Sequence, residues 1–253
     1  MLYKEKKKGW NFFRNNATNI PMQAIILMAG KGTRMAKYYE GPKQLLPVAG
    51  KPVVHYLLDS LPSEITELIF IVGGPHEERI RDHFASGEYN GRPITFIRQD
   101  EQLGLPHAFG MAKDVIRDKW FGSVADDIFD PVAIQKLVQE DMALLSSRVP
   151  NPEQFGVLVT DEEGYLIRAV EKPKEFVSDL VWNGAMVMDK SFFETKTELS
   201  ARGEYETPDV WTKLIAEQGK KIKVIESEYW LPVNDKDQLE AAEARMRELG
   251  LAS

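Results

Sequence analysis

Short uninterrupted apolar runs, each closed by glycine or a polar break, set the rhythm of the first half of the chain. Gln23-Ala-Ile-Ile-Leu-Met28 ends at Ala29-Gly30, and comparable runs follow at Leu68–Val72 before Gly73-Gly74, at Ile94–Ile97 and at Phe121–Val124. A run of this length without polar alternation predicts a strand buried on both faces, the habit of parallel sheets. The intervening stretches predict helices over Pro52–Leu61, His76–Phe84 and Pro106–Arg117. Alternation of this kind is the pattern of an α/β fold with a mainly parallel sheet flanked by helices.

The second half reads differently. Phe155–Thr160, a turn at Asp161-Glu-Glu-Gly164 and Tyr165–Val170 predict a hairpin, and Trp182–Met188 and Lys221–Glu226 predict further strands. Helices are expected over Pro208–Gln218 and Asp235–Leu249, the latter with Leu239, Ala242 and Met246 as its apolar positions. No internal repeat or long linker divides the chain. Residues 22–253 are therefore expected to form one domain with a sheet-rich second lobe, preceded by an arm over residues 1–21.

Composition narrows the function. The chain has 253 residues, 43% apolar and 28% charged, a globular balance with ample material for a core. Cysteine is absent. That excludes disulfides, thiolate metal sites and a cysteine nucleophile, and it fits a reducing, cytoplasmic setting. No apolar run approaches the ~20 residues of a membrane helix, and the N-terminus lacks a secretory pattern. A net charge of −7 gives no nucleic-acid footprint. The charge is uneven: residues 1–20 carry +4 and the remainder −11. The arm also holds Trp10, Phe12 and Phe13, and disorder is the default reading of such a terminus.

Candidate chemistry begins at Leu27-Met-Ala-Gly-Lys-Gly-Thr-Arg34, directly after a buried strand. Glycines there allow a sharp turn whose N–H groups gather round an anion, and Arg34 supplies a fork of donors for phosphate oxygens. The same glycines also suit a plain strand-to-helix turn. Nicotinamide and Walker fingerprints both fail, because no third glycine follows Gly32 and no Gly-Lys-Ser/Thr stands at the required spacing.

Beyond Arg34 comes Gly41-Pro-Lys-Gln-Leu-Leu-Pro-Val-Ala-Gly-Lys-Pro52. Gln99-Asp-Glu-Gln-Leu-Gly104, His107-Ala108, Ala125-Asp126-Asp127, Phe155-Gly156, Glu171-Lys-Pro173, Asn183-Gly184 and Gly203-Glu-Tyr-Glu-Thr-Pro-Asp209 follow in order. This ordered set, spread from Met22 onward, resembles the sugar-1-phosphate nucleotidyltransferases. The resemblance implies a Rossmann-like domain with a sugar-binding second lobe. It implies transfer of a nucleotidyl group from a nucleoside triphosphate to a sugar 1-phosphate, with Mg²⁺ as cofactor and pyrophosphate as product. Uridylyl or thymidylyl transfer is favoured over cytidylyl. Self-association is common among such enzymes, so a homo-oligomer is a further expectation.

By resemblance, Arg34 holds the triphosphate and Lys43 stands at the α-phosphate. Met28, Ala29, Gly30, Gly32, Thr33 and Gly104, with Gln99 or Gln102, take the nucleotide. Glu171, Asn183 and Gly184 take the sugar and Lys172 its phosphate, while Asp126 binds the metal. Asp127 and Asp130 read better as capping groups before Pro131. Where many relatives carry a second metal-binding Asp two residues after a Trp, this chain has Trp230-Leu-Pro232. Val233-Asn234 followed by Leu239 matches a variant segment of the N-acetylglucosamine-type uridylyltransferases, which makes Asn234 either the second metal ligand or a cap for the last helix. Leu105-Pro106 replaces a common Thr. Two alternatives stay open: a weakly catalytic, sugar-nucleotide-binding regulatory subunit, and a cytidylyltransferase acting on a phosphate such as phosphocholine. The four histidines show no zinc spacing.

Overall fold

The computed structural model describes residues 21–30 and 32–250, so the arm's residues 1–20 and its aromatic side chains lie outside the described residues. In chain order the main elements are β1 Met22–Leu27, α1 Val53–Ser60, β2 Ile65–Val72, α2 Glu77–His83, β3 Arg92–Arg98, α3 Leu105–Gly110, β4 Trp120–Val124 and β5 Asp127–Phe129. They continue with α4 Pro131–Leu137, β6 Ala143–Arg148, β7 Gly156–Thr160, β8 Leu166–Glu171, β9 Leu180–Met188, α5 Thr207–Gln218, β10 Lys223–Glu226, β11 Trp230–Pro232 and α6 Lys236–Glu248.

The four apolar runs of the first half pair in parallel in the order β3-β2-β1-β4. Beyond β4 the sheet turns antiparallel: β9 pairs with β4, with β6 and with β7, and β7 pairs with β8. The expected α/β class and the sheet-rich second half are both present. Period two governs the packing. Ala24 and Ile26 of β1, with Met28 just beyond it, enter a core with α1 and α4, whereas Ile25 and Leu27 enter the opposite core with Phe109, Trp120 and Trp211. A third cluster of Met35, Leu46, Val48, Val53, Ile128, Val233, Ala242 and Met246 clasps the Pro42–Lys43 loop between β5 and α6.

Two expectations shift. The helix expected over Pro106–Arg117 stops at Gly110, after which Ala112, Lys113 and Val115 bond three residues back in tight turns; glycine is a poor helix former. The segment Ala143–Arg148, unremarked in the sequence because two serines end its apolar run, is a buried strand. Its serine hydroxyls are satisfied there, Ser146 by the carbonyl of Ile225 at 3.0 Å and Ser147 by Ser227 at 2.9 Å.

Two of the scattered histidines meet. His55 on α1 and His83 at the end of α2 bring their Nε2 atoms to 2.9 Å. Burial holds both below the ordinary value of 6.5, and the proximity of His83 lowers His55 further. The native state thus binds fewer protons here than the unfolded chain once pH drops below about 6.5, and stability falls in that direction. Thermal unfolding followed by circular dichroism is expected to show a midpoint that declines between pH 7.5 and 5.5. His83→Gln is expected to flatten that decline, and an unchanged slope would remove the pair from the pH response.

Candidate active site

The C-terminal ends of β1, β3 and β4 deliver Ala29-Gly30, Gln99 and Asp126 to one crevice, where strand order reverses and open α/β sheets bind ligands. A pocket of about 220 Å³ is lined there by Ala29, Gly30, Gln99, Gln102, Gly104 and Glu204, with Leu27 and Ala108 beneath. Gln102 donates its side-chain amide to the Ala29 carbonyl, and the Gln99 amide meets His107 Nδ1 at 3.0 Å. Gly104 has φ +96°, and a Cβ there would stand 2.3 Å from the Tyr205 carbonyl oxygen. Only glycine lets those two loops close over the pocket.

Met28 departs from expectation. Its N–H is taken by the Ile71 carbonyl at 2.7 Å and its side chain lies in the core, because the inward alternation of Ala24 and Ile26 continues to this last residue of the apolar run. Gly32, at φ +60°, accepts from the N–H groups of Met35 and Ala36. Thr33 is exposed on that turn. Only a short 3-10 turn at Met35–Lys37 follows, so the loop does not open an α-helix.

The centre of the site is Lys43. Its side chain is 5% exposed, and its ammonium donates to Asp126 Oδ2 at 2.5 Å and Asn234 Oδ1 at 2.7 Å. Arg34 Nη2 donates to the same Asn234 oxygen at 3.0 Å. Four expected residues from three distant segments thus converge within hydrogen-bond reach of one another.

The neighbouring acids hold this cluster in place. Asp127 is buried; it accepts from Trp230 Nε1–H at 2.9 Å and from the Val233 N–H at 3.4 Å, which fixes the segment carrying Asn234. Burial above all, then the charge of Asp126, pushes the Asp127 carboxyl up to about 7, against the pull of Lys43 and its hydrogen bonds. Asp127 is therefore no cap, whereas Asp130 caps α4 by accepting from the Val132 N–H at 2.9 Å. At the last helix the cap is Asp235, accepting from the Gln238 N–H at 2.9 Å, while Gln238 Oε1 accepts from the Asn234 N–H at 2.8 Å. Asn234 is thereby released from capping, and its side-chain oxygen faces the cations. Pro232 lies opposite Asp127 in the β11–β5 ladder.

The sugar-side residues divide. Glu171 and Lys172 lie together at 3.5 Å, and Lys172 has a strained φ of +42°, a conformation proteins keep where the surroundings impose it. Arg202, missed in the sequence, donates to Glu171 at 3.0 Å and pairs with Glu206 at 2.8 Å. Asn183 is not part of this group. It is buried, and its amide donates to Ser147 at 3.1 Å and Ser227 at 3.4 Å. Gly184, at φ +109°, packs against Val124, where a Cβ would come within 2.7 Å of the valine methyl. Glu204 also escaped notice. It lines the pocket of Gln99 and Gln102.

The donor set suits a hard cation. Asp126 and Asn234 offer a carboxylate and an amide oxygen converging on one positive charge, and Mg²⁺ takes few protein ligands, completing its shell with phosphate oxygens and water. Among the described residues no cluster of three or more His, Asp or Glu could hold a metal by itself. Nor is any helix long and apolar enough to cross a membrane.

Comparison with known proteins agrees with this geometry. The family described as nucleotidyl transferase matches residues 23–248. The UTP–glucose-1-phosphate uridylyltransferase AglF of Haloferax volcanii is 34% identical over 238 residues, covering 90% of this chain and 97% of the relative. The bifunctional protein GlmU of Methanococcus maripaludis is 36% identical over 214 residues, covering 83% of this chain but 50% of the relative. The chain thus spans about half the length of such GlmU relatives. A crystal structure from Bacillus anthracis, assigned as a glucose-1-phosphate thymidylyltransferase, superposes with a TM-score of 0.77 at 27% identity, covering 90% of this chain and 96% of that one. With its sheet order and a family match over nearly the whole described chain, the protein belongs to the nucleotidyl transferase family.

Proposed function

We propose that the chain transfers a uridylyl group from UTP to an aldose 1-phosphate, of the glucose or N-acetylglucosamine class, and releases pyrophosphate. The observation that carries this reading is Lys43, a buried ammonium held between Asp126 and Asn234 beside the Gln99–Gln102 pocket. UTP is favoured because the relative matched along nearly its whole length is named a uridylyltransferase, and because Val233-Asn234 resembles the variant found in uridylyltransferases.

The chemistry needs position and positive charge rather than a base. A sugar phosphate is already ionised at neutral pH; its oxygen attacks the α-phosphorus, the bond to the β-phosphate oxygen breaks, and pyrophosphate carries the electron pair away. No proton has to be removed. Gln99, Gln102 and the backbone of Ala29, Gly30 and Gly104 seat the base. Glu204, the one charged side chain among the described residues that line that pocket, accepts from ribose hydroxyls. Arg34 holds the triphosphate. Lys43, shielded from water, offers its charge where negative charge grows at the α-phosphate, and low local dielectric strengthens it there. Lys172 and Arg202 take the sugar's phosphate, and Glu171 the sugar hydroxyls. Asp126 and Asn234 would hold Mg²⁺, which neutralises phosphate charge when bound. Pro232, the feature favouring a weakly catalytic subunit, is offset by Asn234, which supplies an oxygen beside Asp126.

The reading is tested by a Mg²⁺-dependent pyrophosphate-release assay across nucleoside triphosphates and sugar 1-phosphates. UTP with an aldose 1-phosphate is expected to turn over fastest. Sugar-nucleotide binding without turnover for any pair would sink the enzyme reading. Asp126→Asn is expected to lower kcat by about a hundredfold or more, with an unaltered far-ultraviolet spectrum; near-normal turnover would remove Asp126 from the chemistry. Asn234→Ala is expected to raise the Mg²⁺ concentration at half-maximal rate several-fold, and an unchanged titration would leave Asn234 a purely structural role.

A further inference from the structure

The contact between His55 on α1 and His83 at the end of α2 joins two helices outside the pocket of Gln99 and Gln102. The two residues are 28 positions apart in the chain, so no local spacing announced them as a pair. Aromatic packing holds both rings. The His83 ring lies against Phe84 with centroids 4.8 Å apart, and the His55 ring against Tyr89 at 5.0 Å and Phe84 at 5.9 Å. Phe84 is itself part of the core beneath α1, so the two imidazoles rest on a packed base.

A hydrogen bond between two neutral imidazoles uses one proton and one lone pair. If both rings carry their proton on Nδ1, two lone pairs face the same gap instead. That change moves one proton from Nε2 to Nδ1 of a single ring and releases none. Two imidazole nitrogens at about 2.0–2.1 Å from one Zn²⁺ stand about 3.3 Å apart at the tetrahedral angle. The observed 2.9 Å therefore has to open by only a few tenths of an ångström, with a small turn of the rings.

The surroundings favour a cation over protons. Burial lowers the proton affinity of both rings, which leaves them neutral at pH 7, the form that binds metal. Asp59 follows His55 by one helical turn, and its charge acts on His55 more strongly than that of Lys51 does. The Asp59 carboxylate is held in place by the Tyr89 hydroxyl at 2.8 Å, the Asn90 amide at 3.1 Å and Lys51. Among the described residues no set of three or more His, Asp or Glu could hold a metal, so water completes the shell around the two nitrogens. Donor type then selects the ion. Paired imidazoles suit Zn²⁺, Cu²⁺ and Ni²⁺ and are poor ligands for Mg²⁺, which the oxygens of Asp126 and Asn234 suit.

We propose that His55 and His83 form a metal site of their own, separate from Asp126 and Asn234, which takes a divalent transition-metal cation of the zinc class and staples α1 to α2. The site is independent of the nucleotidyl-transfer reading, since no step of that chemistry passes through it.

The test uses the full chain, stripped with a chelator and returned to excess Mg²⁺ so that the oxygens of the crevice are occupied. One equivalent of Cu²⁺ is the spectroscopic probe, and its electron paramagnetic resonance spectrum is expected to show coupling to two imidazole nitrogens. His83→Gln, at an exposed position, is expected to leave coupling to one nitrogen at most and to weaken Cu²⁺ binding at least tenfold. His55→Gln is expected to do the same, and His76→Gln to change neither. Zn²⁺ at a hundredfold excess over its Kd is expected to raise the thermal midpoint by about 5 °C, an effect lost in His83→Gln. The site is overturned if the unaltered chain shows no two-nitrogen coupling, if that coupling survives in His83→Gln, or if His76→Gln abolishes it. The staple is overturned if Zn²⁺ leaves the midpoint unchanged or raises that of His83→Gln equally. A chain that gives the two-nitrogen spectrum but turns over no substrate pair keeps the site and refutes the transferase reading instead.

Discussion

A single buried ammonium organises this protein. Lys43 comes from the loop before the first helix, Asp126 from the end of β4 and Asn234 from the start of α6, and they meet only because Lys43 is satisfied by both oxygens at once. A lysine this deeply buried is costly unless its charge is matched and its donors occupied. The third apolar cluster supplies the steric half of the arrangement by clasping the Lys43 loop against β5 and α6. The Asp127–Trp230 hydrogen bond supplies the rest, tying the segment before Asn234 to the residue after Asp126. Stability and reactivity thus draw on the same contacts.

This arrangement explains how a chain of net charge −7 can serve highly anionic substrates. Screening confines the influence of surface carboxylates to roughly a Debye length, about 8 Å at physiological ionic strength. Within that range the cluster of Asp126 and Asn234 is governed by the charges of Arg34 and Lys43. The acidic excess elsewhere is a matter of solubility rather than recognition.

Much of the framework is written in local pattern. The continuous apolar runs of β1, β2 and β4 announce parallel strands because both faces must be buried, and Asp235 ahead of an amphipathic run marks the last helix. The Ala143–Arg148 strand was illegible because its serines are buried only by virtue of partners about 80 residues away. The site shows the same division. Arg34, Lys43, Asp126 and Asn234 were named from motif order, and the fold brings them together. Arg202 and Glu204 were not recognised and Asp127 was read as a cap, since the place of each is set by tertiary contacts. Asn183 was named by resemblance alone, and no local pattern announces that its amide meets Ser147 and Ser227.

The nine buried residues of β9 pair with β4 over Ala185–Met188, with β7 at Val181 and with β6 towards both ends of the strand. A strand shared in this way is a rigid spine, and it leaves no hinge about which the two lobes could swing shut. The segments that project from the spine are short loops. The segment between β8 and β9 carries Lys172 at its strained base and the exposed Phe176 further along. The spine also serves as a fixed floor, on which the contacts of Lys43 with Asp126 and Asn234 are already made.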